Sequence, residues 1–363
     1  MRICFLAPAS SLHTMKWCSY FTGKGHDVHV VTLVNGHIDG VTIHRLNTQT
    51  TADGSDWRKL GYLACYRELQ KIIERINPDV INVHYATSYG MLAALSCSRP
   101  YILSVWGSDV YDFPNKSVLH KAMLRYSFKR ASKLMSTSRA MANEAAKYTD
   151  KPFDVTPFGV DTSLFSPIDH SNNDAFVVAI VKALSAIYGI DVLLKAAAAT
   201  IEVRPDIPLK VRIAGDGPDR QKLKQLSSDL GIEKHVEWLG FISQAEAARV
   251  WADADIGVVP SYSESFGVAA VEAQACGRPV IVSDAPGLLE VTAEGRNGLV
   301  FSRGDYVELA ACIVELYENQ ALRHRLGDNG RQFVVDHYSY EECFERIEHL
   351  LSGFAANDGG RYA

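Results

Sequence analysis

Residues 263–284 read SESFGVAAVEAQACGRPVIVSD and carry two glutamates, Glu264 and Glu272, with seven uncharged residues between them. The run from Val268 to Ala275 is rich in Ala, Glu and Gln and predicts a helix, with Gly277 and Pro279 marking its end. Glu264 is therefore expected just before the helix and Glu272 inside it. At about 1.5 Å of rise per residue, Glu272 lies roughly 9 Å beyond a helix start near Phe266. The free N–H groups of the first turn fall between the two acids. Such an N-terminus favours phosphate, and Gly267 lets a ligand approach the backbone closely. The layout suits a ligand with hydroxyls at both ends and phosphate in the middle, such as a nucleotide diphosphate sugar. The alternative is an acid that complements the helix dipole, plus one solvated Glu.

The PVIVSD that closes this stretch is one of a series of short β-branched runs alternating with helical segments. The others are RICFLA, DVHVVT, DVINVH and YILSV in the first half, then AFVVAIV, LKVRIAG and IGVVP after residue 175. Alternation of this kind predicts an α/β protein with parallel sheets covered by helices. The polar stretch SPIDHSNND, residues 166–174, is the linker candidate. It predicts a first domain over 1–166, a second over 175–335, and a terminal segment over 336–363 with a helix and a frayed tail, AANDGGRYA. Ligands of open parallel sheets gather beyond the carboxyl ends of the strands, so two such domains predict a cleft between facing sheets.

With 363 residues, 47% of them hydrophobic and 22% charged, the chain is long enough for two full cores. No apolar run approaches the roughly 20 residues of a membrane span, and MRICFLAPASSLHT turns polar too soon for a signal peptide, so a cytoplasmic location is expected. The seven cysteines are scattered without CxxC spacing, which argues against a disulfide framework or a zinc site. The net charge of -5 hides an asymmetry: residues 1–160 hold 19 Lys and Arg against 12 Asp and Glu, and the remainder holds 18 against 30. The basic first half is poised to meet something anionic. No nucleic-acid partner is expected.

Other candidate residues stand at predicted strand ends. The loop APASSLHTMKW, residues 7–17, lacks the glycines of a dinucleotide fingerprint, but its Ser10, Ser11, His13 and Thr14 could donate to a phosphate or an acceptor hydroxyl. A simple helix N-cap is the other reading. His84 and Tyr85 in NVHYATSYG, and Trp106, Ser108, Asp109 and Tyr111 in SVWGSDVYDFP, mix rings and acids in a way that suits sugar recognition. A satisfied structural group is the other reading of His84. Lys182 could neutralise a diphosphate; Gly215 in AGDGP serves backbone geometry with Asp216 as a cap; Gly287 and Glu290 are expected to line the same cleft. From Lys116 to Lys133 an amphipathic helix is predicted, with Lys121, Arg125, Lys129 and Lys133 on one face and Leu119, Ala122, Met123 and Tyr126 on another. It is either a solvated basic face or a helix resting on anionic lipid. The DAD at Asp253 to Asp255 is read as structural, and no metal site is expected.

Taken together, PSYSESFGVAAVEAQACGRPVIVSD, AGDGP, FGVDTSLFSP and GLLEVT closely resemble the family-four retaining glycosyltransferases of the GT-B fold, with the strongest likeness over residues 157–301. The first half, with HTMKW, VHYATSYG and WGSDVY, looks like bacterial members that build exopolysaccharide or O-antigen units on a lipid carrier. The resemblance implies that Glu264 bonds the donor sugar, Phe266 to Val268 offer N–H groups to the diphosphate, and Glu272 holds ribose hydroxyls. It places Lys182 at a basic position for the diphosphate. Relatives usually carry a second basic residue before the helix-opening glycine, where this chain has Ile187-Tyr188-Gly189, so neutralisation rests more heavily on Lys182. Many relatives also carry a histidine where Trp106 stands. The resemblance further implies retention of configuration, no required metal or cofactor, a UDP-sugar donor, and a saccharide or lipid-linked acceptor. A peripheral place on the inner face of the membrane goes with the basic helix. The alternatives are an epimerase of the same architecture and a non-catalytic partner of a polysaccharide assembly complex, the latter motivated by Ile187.

Overall fold

The computed structural model describes residues 1–47, 60–168 and 175–358. The chain divides into two compact units: Met1–Pro157 with Phe344–Ala363, and Phe158–Cys343. The first is built on β1 (Arg2–Leu6), β2 (Asp27–Thr32), β3 (Thr42–Arg45), β4 (Val80–His84), β5 (Ile102–Val105), β6 (Lys133–Ser136) and β7 (Phe153–Val155). Their order in the sheet is β3-β2-β1-β4-β5-β6-β7, with every pair parallel. The second holds β8 (Phe176–Val181), β9 (Leu209–Ala214), β10 (Val236–Gly240), β11 (Ile256–Val259), β12 (Val280–Ser283) and β13 (Gly298–Phe301), ordered β10-β9-β8-β11-β12-β13 and again parallel. Parallel neighbours need crossovers, and helices supply them. The order reverses between β1 and β4 and between β8 and β11. In open parallel sheets such a reversal is where ligands gather, beyond the carboxyl ends of the strands.

All eight strands read from the sequence are present. Four of the five that were not foreseen, β3, β7, β10 and β13, are the four sheet edges; the fifth, β6, lies next to an edge. In β3, β7 and β10 no residue is buried, so these segments lack the continuous apolar runs that mark a strand covered on both faces. The helices carry apolar stripes into two separate cores. One is centred on Leu69, Leu92, Leu103 and Phe128, the other on Ile180, Leu193, Ile213 and Leu309.

The division of the chain differs from the linker prediction. Residues 169–174 lie outside the described residues, but the segment before them packs on the second unit. Val160 bridges Ser339, Phe165 is fully buried, and Arg331 Nη1 donates to the Phe165 carbonyl at 2.8 Å. The polar stretch comes later in the chain than this crossing point. The second unit also runs to Cys343, beyond the expected 335. Its helix Gln320–Tyr338 packs on Val268–Ala275, and the last helix, Tyr340–Asp358, carries the chain back to the first unit. There Phe344 stacks on Tyr20, and Glu348 accepts from Tyr20 Oη at 3.0 Å. Ala355 to Asp358, read as part of a frayed tail, are helical; residues 359–363 lie outside the described residues.

The basic helix is shorter than predicted, Val118–Arg130, capped by the Ser117 side chain. Lys133 is not on it: it opens β6 and pairs with Asp154 at 3.0 Å. The core side of the helix is Leu124, Ser127 and Phe128, so Leu119 and Tyr126 face solvent beside Arg125 and Lys129. Among the described residues, no helix is long and apolar enough to cross a membrane.

Candidate functional site

The strands on either side of the reversal in the second unit each deliver one charge. Lys182 follows β8 and Glu264 lies in the loop after β11, 82 positions along the chain, and Lys182 Nζ donates to Glu264 Oε2 at 2.6 Å. Their side chains are 15% and 9% exposed. Ser261 Oγ donates to the same carboxylate oxygen at 3.3 Å, and the Tyr188 ring lies 4.5 Å from the ammonium. Burial pulls the lysine pKa down, but the Glu264 carboxylate, with Tyr188 and Glu272 behind it, outweighs burial and the net direction is up. The ammonium is therefore charged throughout the physiological range.

The loops that hold this pair interlock through glycines. A Cβ on Gly189 would meet the Pro260 carbonyl oxygen at 2.0 Å, and one on Gly287 would meet the Glu264 carbonyl oxygen at 2.4 Å. Gly287 thus packs directly against the backbone of the Glu264 loop. Gly215 does the same for Lys182, and Asp216 is not the expected helix cap. Its carboxylate accepts from Gly217 N–H at 2.8 Å and from Arg220, and the N-cap position is Asp219. The helix of the opening stretch spans Val268–Ala275, as read from composition, with Gly267 at its N-cap in the left-handed region at φ 102°. Phe266 is buried against Tyr338, so the backbone and not its ring is available at the helix start. Glu272 lies in the helix, buried, and accepts from Trp251 Nε1 at 3.4 Å. Glu290 lies on Pro286–Val291, where its carbonyl accepts from Tyr338 Oη. A cation and a carboxylate thus stand together before the start of the helix Val268–Ala275, a combination with the chemistry to hold phosphate and hydroxyl groups.

Two family models divide the chain between them: glycosyl transferase 4-like over residues 2–138 and glycosyl transferases group 1 over 163–333. An uncharacterised glycosyltransferase of Methanocaldococcus jannaschii is 31% identical over 291 residues, 79% of each chain. This chain belongs to the family-four-like glycosyltransferases. A D-inositol 3-phosphate glycosyltransferase of Arthrobacter sp. is 35% identical over 214 residues, 55% of this chain and 50% of that relative. Among solved structures, HepE of Anabaena in complex with UDP matches at TM-score 0.80 and 20% identity, covering 97% of this chain and all of that one. Sucrose-phosphate synthase from Thermosynechococcus elongatus matches at 0.84 and 19%, covering 98% and 100%. These neighbours establish the GT-B fold.

In the first unit of the glycosyltransferase the reversal point gathers the residues foreseen as acceptor-side candidates, with three corrections, at Asp109, His84 and Thr14. Asp109 is not an open carboxylate. It is buried and its oxygens accept from the N–H groups of Ala86, Trp106 and Gly107 at 2.8–3.2 Å, which fastens two strand-end loops together. His84 is fully buried and neither ring nitrogen has a hydrogen-bond partner among the described residues; Trp106, Trp17 and Phe5 wall it at ring separations of 4.1, 4.9 and 5.4 Å. Thr14 is buried on the inner face of the helix Leu12–Gly23, whose N-cap Ser11 makes no side-chain capping bond. His13 is partly exposed and edge-on to Trp106; burial, then the Lys16 charge, lowers its pKa to about 4. Tyr85 is one of two described residues other than glycine with positive φ, 68°, a strained conformation at the strand end.

Sequence reading missed Tyr188, Ser261 and Trp251, which touch the foreseen site residues but look like ordinary apolar or loop positions in one dimension. It also missed Phe241, 88% exposed at the end of β10, next to the Gly240 carbonyl that accepts from Gly215 N–H at 2.7 Å. The seven cysteines are free, six of them buried. Asp253 and Asp255 are structural: Asp255 Oδ2 accepts from Val177 N–H at 2.8 Å and Asp253 faces Arg212.

Proposed function

We propose that this glycosyltransferase moves a sugar from a nucleotide diphosphate sugar, with uridine as the favoured base, to a saccharide acceptor with retention of configuration and without a required metal. The reading is carried by the Lys182–Glu264 pair at the strand-end crevice beside the helix Val268–Ala275. The lysine and the helix start neutralise the diphosphate as negative charge develops on the leaving group, Glu264 bonds the donor sugar, and Glu272 holds ribose hydroxyls. A leaving-group phosphate oxygen takes the acceptor proton, so no separate base is needed. UDP or UDP-glucose is bound in the HepE structures, which supports a uridine donor by analogy.

The acceptor is a lipid-linked saccharide for a bacterial surface polysaccharide, taken up by the basic first unit at the cytoplasmic face of the membrane. The exposed Val118, Leu119 and Tyr126 beside Lys121, Arg125 and Lys129 support this placement: apolar side chains enter the interface while the cations meet anionic headgroups. Thermal stabilisation by uridine, guanosine and adenosine diphosphates, measured beside Glu272→Ala, tests the donor site. A shift with one base that weakens in the variant supports it, and no shift with any nucleotide removes it. Acceptor-dependent nucleotide release separates the transferase from an epimerase, which needs no acceptor, and from a non-catalytic partner, which releases nothing.

A further inference from the structure

Tyr188 joins core packing to a contact with the site's cation. Its ring lies 4.5 Å from Lys182 Nζ, on an ammonium that already donates to Glu264 at 2.6 Å. The ring is itself fixed by its neighbours. It packs on the core of the second unit, Tyr188 N–H donates to the Ser185 carbonyl at 3.0 Å, and the Ile187 carbonyl accepts from Tyr262 N–H at 2.8 Å. Gly189, at φ +66°, holds the other end against Pro260.

We propose that Tyr188 is a positioning residue for the donor, its ring face holding the Lys182 ammonium where the diphosphate is received. The inference rests on the donor-site reading given above. A lysine amine on a four-carbon stem samples many rotamers, and each contact that survives ligand arrival reduces what binding must order. Phosphate oxygens entering the crevice compete with Glu264 for the N–H groups of Lys182. The cation–π contact uses the electrostatics of the ring face and occupies no hydrogen-bond donor, so it persists while the partner changes from carboxylate to phosphate. The ring thus keeps the cation in place as Glu264 is released toward the sugar hydroxyls.

Calorimetric titration of the full chain with UDP, GDP and ADP tests this, using the tightest of the three for wild type, Y188F, Y188L and Lys182→Met. Y188F keeps the ring face and is expected to bind within about twofold of wild type. Y188L keeps apolar bulk without the face and is expected to weaken binding by roughly threefold to thirtyfold. In turnover with the matching sugar nucleotide, the same variant raises the donor KM more than it lowers kcat. Melting midpoints show whether each variant is folded; if Y188L is not, Y188M makes the same comparison with an unbranched chain. A leucine or methionine variant that binds as wild type, or a Y188F loss as large as theirs, overturns the proposal while the donor site stands. Absence of binding by wild type, or unchanged binding in Lys182→Met, overturns the donor-site reading and the proposal with it.

Discussion

A Cβ on Gly215 would lie 1.9 Å from the Lys182 carbonyl oxygen, and Gly215 has φ +135°, so the backbone carrying the site's lysine rests directly on a glycine. Gly215→Ala requires one of two tightly registered strands, β8 or β9, to move at its end. The substitution is expected to lower stability by about 3 kcal/mol or more, read as the shift in urea midpoint. Any folded fraction should have lost nucleotide binding, because Lys182 moves with its carbonyl.

Removing one partner of the Lys182–Glu264 pair leaves a nearly buried charge uncompensated. Lys182→Met and Glu264→Gln should each cost about 3 kcal/mol, and the double variant clearly less than their sum. A thermal double-variant cycle checks this. Additive losses would mean that the two groups do not interact in solution.

Acid should loosen the first unit through its buried histidines. The folded-state pKa of His13 is lowered from 6.5 to about 4, and that of His84 lies well below 6.5, in both cases chiefly through burial. Between those values the unfolded chain binds protons that the folded chain does not, so stability falls as pH drops from 6.5 toward 4. His84→Leu removes two buried ring nitrogens without partners and is expected to leave stability at pH 7 unchanged or about 1 kcal/mol higher. Melting midpoints from pH 7.5 to 4.5 should fall less steeply in this variant than in wild type.

Lys151 closes the end of the helix Val118–Arg130: its ammonium donates to the carbonyls of Phe128, Lys129 and Ala131 at 2.5–3.1 Å. Lys151→Met should cost about 1 kcal/mol, and Lys151→Arg should recover part of it. Liposome sedimentation with neutral and anionic vesicles then separates the roles of two cations. Lys151→Met should bind anionic vesicles as wild type does, whereas Arg125→Glu, on the exposed face, should lose the preference for them.

Much of this molecule is legible in one dimension. The central strands announce themselves because a strand covered on both faces must be apolar throughout. The helix Val268–Ala275 does so because Ala, Glu and Gln favour it and glycines bracket it. Glu264 before that helix and Glu272 within it follow from local spacing alone. What the sequence could not determine is which distant groups share space. Lys182 meets Glu264 only because β8 and β11 are neighbours at the sheet's reversal point. Asp109, an open acid by residue type, is occupied by three backbone amides that two separate loops bring to it. Leu119 and Tyr126, apolar at helical spacing, face solvent because Leu124 and Phe128 occupy the core side. Local preferences and hydrophobic periodicity act over a few residues and are written in order along the chain. Charge pairing, amide capture and burial depend on contacts between segments far apart in that order, and only the packed structure decides them.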